Sequence, residues 1–96
     1  MAAYVIFDSV SVHPDQMTGY GEKAIASLEA FGGKIIVASN DADAREGDWH
    51  PDRIVIIEFP TMAKAQGWYD SPDYREVLPI RLKANRDKMV IVPGVT

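Results

Sequence analysis

The stretch "RIVIIEF", Arg53 to Phe59, constrains the fold more than any other part of this chain. Ile54, Val55, Ile56 and Ile57 form an unbroken β-branched run. Such side chains suit the pleated surface of a strand and crowd the turns of a helix. A strand with one wet side alternates apolar and polar residues. This one does not, so both of its sides require cover.

Three other segments share this character. "AYVIFDSVSV" (Ala3 to Val12), "KIIVAS" (Lys34 to Ser39) and "KMVIV" (Lys88 to Val92) each read as a strand. After the first strand, Pro14 is tolerated in an opening helical turn. Met17, Tyr20, Ala24, Ile25, Leu28 and Phe31 then follow at helical spacing, and Gly32-Gly33 supplies a left-handed stop. Thr61 caps a second helix, which breaks near Asp70 and restarts with Ser71 as N-cap and Pro72 in the first turn. Tyr74, Val77, Leu78, Leu82 and Asn85 continue one face, and Pro79 predicts a kink or local break. Pro93-Gly94 closes the pattern. The order β-α-β-β-α-β is the split-βαβ, ferredoxin-like α+β plan: a four-stranded antiparallel sheet with the helices on one face. Ninety-six residues make a single domain, 1–96.

Alternation along the strands sets Val5 and Phe7 against Tyr4, Ile6 and Val10. Likewise Val55, Ile57 and Phe59 oppose Ile54 and Ile56, while Ile35 and Val37 oppose Ile36 and Ala38. Met89 and Ile91 oppose Val90 and Val92. Each face thus carries roughly eight apolar side chains on a two-per-strand count. The helices can cover only one of them. Burying the other would supply on the order of 10–20 kcal/mol before the costs of association. The expectation is a homodimer joined sheet face to sheet face. The alternative, cover by the Asn40 to Asp52 loop, has to rely on a polar, acidic segment.

A net charge of −4 with dispersed Lys and Arg argues against nucleic-acid binding. The absence of cysteine excludes disulfides and thiolate chemistry. "MAAYVIFDSV" lacks the basic start of a signal peptide, and no stretch approaches the ~18 apolar residues of a membrane span. The expected location is cytoplasmic.

"RIVIIEFPTMAKAQGWYDSPDYREVLPIR", together with "GGKIIVAS", "EGDWHP" and the early "YVIFDSVSV", resembles the small bacterial proteins grouped as domain-of-unknown-function family 1330. The resemblance covers nearly the whole chain. It implies the dimeric α+β barrel superfamily, whose members include cofactor-independent monooxygenases, lactone isomerases and haem enzymes that hold small molecules between sheet and helices. It brings no assigned reaction, and fold analogy is weak evidence for chemistry.

Arg81 shares the apolar stripe of Tyr74, Val77 and Leu78, so its guanidinium needs a partner. One reading is a ligand carboxylate or enolate oxygen; the other is a structural pair with Asp8 or Glu58, or a head reaching solvent. Tyr20, Trp68, Tyr69 and Tyr74 read either as walls of a small-molecule pocket or as core. Ser71 reads as a cap, not a nucleophile. Asp8, Glu58 and His50 are candidate proton carriers. Asp48, His50 and Asp52 alternate, but no second imidazole is spaced to join them, and no metal site is expected. No nucleotide-binding motif or nucleophile elbow is present, and no cofactor is expected. The sequence therefore points to a pocket for a small anionic or aromatic metabolite, with cofactor-free proton transfer or oxygenation as the enzymatic version. A non-catalytic, stress-associated or structural dimer with a filled core is the alternative.

Overall fold

Strand β1 (Ala3–Ser9) runs through the centre of a four-stranded antiparallel sheet, between β3 (Arg53–Phe59) and β4 (Lys88–Pro93). Strand β2 (Lys34–Ser39) lies outside β3. The architecture comes from a computed structural model that describes residues 1–95. Helices α1 (Gly21–Glu29), α2 (Met62–Asp70) and α3 (Pro72–Ala84) lie on one face. This is the ferredoxin-like α+β fold that the strand and helix pattern predicts.

The register separates the two faces. Ala3, Val5 and Phe7 of β1 pair across to Phe59, Ile57 and Val55, and this side is packed under the helices. Tyr4, Ile6 and Asp8 pair with Glu58, Ile56 and Ile54 on the other side, where Val90 is exposed and the rest are half-buried. Strand β2 departs from the expected alternation. A bulge between Ile35 and Val37 puts Ile35 opposite Ile57 on the helix side and Val37 opposite Ile56 on the open side. Ile35 and Val37 therefore do not share a face. The Asn40 to Asp52 loop shields one corner of the open side: the Trp49 indole donates a hydrogen bond to Asp8 Oδ2 at 2.9 Å and lines a depression there with Ile6 and Val90.

Four other expectations need correction. Strand β1 stops at Ser9, not Val12, because the chain leaves the sheet to clamp the end of α3. Val12 and His13 N–H both donate to the Ala84 carbonyl, at 2.9 and 2.7 Å, and Arg86 N–H returns to the Val10 carbonyl at 2.7 Å. The first helix does not run from Pro14. Residues Pro14–Met17 form a 3-10 turn, Gly19 adopts φ +86°, and α1 begins only at Gly21. The low helix propensity of the paired glycines wins over the apolar spacing. Finally, no local break occurs at Pro79: α3 continues through it. Pro79 is exposed, so solvent can serve the Arg75 carbonyl that its missing N–H leaves free. Leu82 points away from the buried stripe of Tyr74, Val77, Leu78, Arg81 and Ala84, and is 61% exposed.

The caps behave as the sequence predicts. Thr61 Oγ1 accepts from Lys64 N–H at 3.1 Å, and Ser71 Oγ from Tyr74 N–H at 3.2 Å. Gly32, at φ +78°, ends α1 in the left-handed region. Gly33 is required for a different reason. A Cβ there would sit 2.6 Å from the Phe59 ring, which is fully buried with its centroid 5.5 Å from that of Trp68. The Phe59 ring would have to shift against Trp68 to admit it. Gly33→Ala is expected to lower stability by about 1–3 kcal/mol, read from the midpoint of urea unfolding; an unchanged midpoint would show that the ring can move aside.

Candidate functional site

Helix α1 packs along α3 but makes few close approaches to the strands. The gap beneath it is a cavity of ≈ 410 Å³, roofed by α1 and the Pro14–Tyr20 crossing and floored by the sheet. That volume lies within the ~300–1,000 Å³ typical of small-molecule sites. Phe7, Val55 and Ile57 supply an apolar floor, and Ala24, Leu28 and Trp68 apolar walls. Ile25 and Ile35 also line it, and each is 44% exposed. Their exposure marks the mouth between α1 and β2.

The polar groups gather at one end, where β1 finishes and β3 starts. Ser9 sits opposite Arg53 in the sheet, and the bridge between Ser11 and Asn85 lies just beyond it. Arg81 enters from α3, its guanidinium 5.0 Å from the centroid of the Phe7 ring. Its Nη1 donates to Asp87 Oδ2 at 3.0 Å, and the two side chains are 7% and 3% exposed. Asp87 Oδ1 accepts from Ser9 Oγ at 2.8 Å and from Val10 N–H at 3.2 Å, while Asn85 Nδ2 approaches Oδ2 at 3.4 Å. Every lone-pair direction of this carboxylate is taken.

Arg81 Nε donates to the Tyr74 hydroxyl at 3.1 Å, and the hydroxyls of Tyr74 and Tyr20 are 2.7 Å apart. Tyr74 is fully buried and its proton has no other acceptor among the described residues. The satisfied arrangement has Tyr74 donate to Tyr20, which leaves the Tyr20 proton free on the cavity wall. Burial raises the Tyr20 pKa well above the ordinary phenol range; the neighbouring Tyr74 adds to this, and Arg81 only partly opposes it. Tyr20 is therefore a neutral donor. Burial disfavours the Arg81 charge, but Tyr74 and Asp87 outweigh it and raise its pKa overall.

The residues expected to carry function fall into separate places. Tyr20, Trp68 and Arg81 line the cavity. Tyr74 stands behind them, its ring centroid 4.3 Å from that of Trp68, and Trp68 is itself anchored by Nε1 donating to Ser27 Oγ at 3.0 Å. Tyr69 packs against Tyr74 and beneath the Arg75 guanidinium, away from the lining. Asp8 and Glu58 lie on the opposite sheet face. Asp8 holds Trp49, and Glu58 accepts from the Tyr4 hydroxyl at 3.3 Å and pairs with Lys34 at 3.5 Å. His50 is exposed in the loop. None of these proton carriers reaches the cavity, and Arg81 pairs with neither acid. Its partner, Asp87, gives no sequence signal beyond following Arg81 by six positions in the turn before β4. Arg53 and Asn85 also carry no signal in the sequence that marks them for the site. No cluster of three or more His, Cys, Asp or Glu placed to hold a metal occurs among the described residues. No described helix is long and apolar enough to cross a membrane.

Removing one member of a buried ion pair strands the other. Asp87→Ala is therefore expected to cost about 3–5 kcal/mol in chemical denaturation, and combining it with Arg81→Met should recover much of the loss. A single-variant cost within the ordinary range of a surface substitution would mean that water already reaches the pair.

Known proteins place this geometry in a wider setting. A protein of unknown function from Rhodopseudomonas palustris superposes with a TM-score of 0.71 at 20% identity, over 99% of this chain and 83% of that one. A dimeric ferredoxin-like protein of unknown function from Jannaschia sp. CCS1 gives 0.64 at 10% identity, over 98% and 100%. SnoaB, a cofactor-independent oxygenase from Streptomyces nogalater, gives 0.61 at 8% identity, over 99% and 93%. At such identities the likeness establishes the fold. Among curated proteins no sequence matches. The model of the family described as Domain of unknown function (DUF1330) matches residues 2–95, and this chain belongs to that family.

Proposed function

We propose that this protein binds a small molecule with an apolar body and at least one acceptor oxygen in the cavity beneath α1, and does so as a homodimer. The observation that carries the reading is the Tyr20 hydroxyl on the wall of that cavity, 2.7 Å from the Tyr74 hydroxyl that the Arg81 cation in turn holds, an arrangement that is satisfied when Tyr20 keeps its own proton for a ligand. A chain of hydrogen bonds ending on a charge polarises each member, so Tyr20 is a stronger donor than an isolated phenol. Arg81 Nη2 makes no hydrogen bond among the described residues and adds a second donor. A carbonyl or enolate oxygen is the group these donors suit. A filled core would leave no such space.

An enzymatic version follows from the same donors. They would hold the oxygen of an activated carbon acid while it reacts with dioxygen; the structural neighbour SnoaB is a cofactor-independent oxygenase. Among the described residues Asp87 is the one carboxylate on the lining, and its lone pairs are committed. The residues here orient and polarise an oxygen; they offer no free base, so binding is the better-supported half of the reading.

The homodimer rests on the open sheet face. Ile6, Ile54, Ile56, Val37 and Val90 lie there beyond the reach of the helices. A contiguous apolar surface of this kind marks an association site, and two-fold pairing covers it with itself.

Small aromatic carboxylic acids are expected to raise the melting temperature of the protein. Tyr20→Phe keeps the ring packing and removes only the hydroxyl, so it should weaken binding about five- to tenfold. A panel that leaves the wild-type melting temperature unmoved, or a variant that binds as tightly, would refute the site. Sedimentation should return twice the mass of one chain for wild type and a single-chain mass for Ile56→Glu, which sets like charges against each other across the two-fold axis. A wild type that sediments as one chain refutes the dimer.

A further inference from the structure

We infer that Arg53 receives the anionic head of the ligand, and that the ligand class is a small monocarboxylic acid with an apolar body. This rests on the cavity-binding reading above and specifies its chemistry.

Two cations line the cavity, Arg53 and Arg81, with one anion, Asp87. Asp87 is spent on Arg81, Ser9 and the Val10 N–H, so it cannot neutralise Arg53 without breaking the buried network. Arg53 has no carboxylate partner among the described residues. Its hydrogen bond goes to a neutral group: Nη1 donates to the Asn40 side-chain oxygen at 2.6 Å. That bond steadies the guanidinium and leaves its Nε–Nη2 edge without a partner. This edge is the one on which a carboxylate docks with two parallel hydrogen bonds. The cavity thus carries an uncompensated positive charge within a chain whose net charge is −4.

The position of that charge orients the ligand. Arg53 opens β3 opposite Ser9, at the polar end, and it shares its strand side with Val55 and Ile57 of the cavity floor. An acid head at Arg53 therefore directs an apolar body along Val55, Ile57 and Leu28 towards Trp68. Neutral molecules of the same shape would fill the apolar region and leave the charge unanswered. Amines would meet like charge.

Calorimetric titration of wild type and Arg53→Gln with phenylacetate and with phenylacetamide tests this. The two probes share shape and differ in charge. Wild type is expected to prefer the acid by about tenfold or more, with the preference shrinking as salt rises. Arg53→Gln should lose the preference, its affinity for the acid falling to that for the amide, with an unchanged far-ultraviolet spectrum. Equal binding of the two probes by wild type overturns the inference and leaves the cavity reading standing. A preference that survives in Arg53→Gln also overturns it. If neither probe binds wild type, both readings fall together.

Discussion

A guanidinium held almost out of reach of water organises this molecule. Arg81 comes from the last helix, and its partner Asp87 from the turn into the last strand. Through Asp87 the pair also grips Ser9 and the Val10 N–H, where the first strand leaves the sheet. Three separate chain segments meet at one ion pair. Burying such a pair does not of itself add stability, because desolvation consumes most of the attraction. What it does is fix geometry: any shift of α3 along the sheet would pull opposite charges away from each other in a medium that cannot screen them. The Tyr74–Tyr20 relay hangs from the same guanidinium, so the fixed geometry extends to the cavity wall.

The two faces of the sheet are equally apolar in the sequence, and this governs what can be read from it. Strands, helix caps and the break at Ser71 are legible, since β-branched runs and capping residues act locally. Arg81 is legible as a residue needing a partner, because a charge on an apolar stripe is conspicuous. Alternation correctly groups Asp8 with Ile6, and Glu58 with Ile56, but it cannot say which face the helices choose. The acids lie on the open side and the cavity forms on the other. The bulge at Ile36 leaves no mark, nor does the pairing of Arg81 with Asp87, since acids in short turns are ordinarily solvated. Apolar spacing from Met17 onward suggests a longer first helix than the glycines permit. That shortening frees Tyr20 to sit ahead of α1 and face the cavity.

The two faces of the sheet differ in what they offer. The helix side here holds space because α1 leans on α3 instead of the strands. Apart from Arg81 on α3, the lining residues that give that space its polarity come from the ends of strands and from turns, segments that can change without disturbing the sheet. SnoaB and the Jannaschia protein share the scaffold at 8% and 10% identity. Chemistry on such a scaffold travels with side chains at these ends, not with the architecture.

The two indoles of the chain occupy opposite sides of the sheet. Trp68 is 1% exposed beneath the cavity, while Trp49 is 55% exposed and tethered to Asp8 over the open face. Their emission should differ in colour and in sensitivity to a dissolved quencher. Occupancy below α1 would perturb the emission of Trp68, and pairing of chains through the far side that of Trp49. The polypeptide thus contains its own pair of optical probes, with no label needed to tell the two surfaces apart.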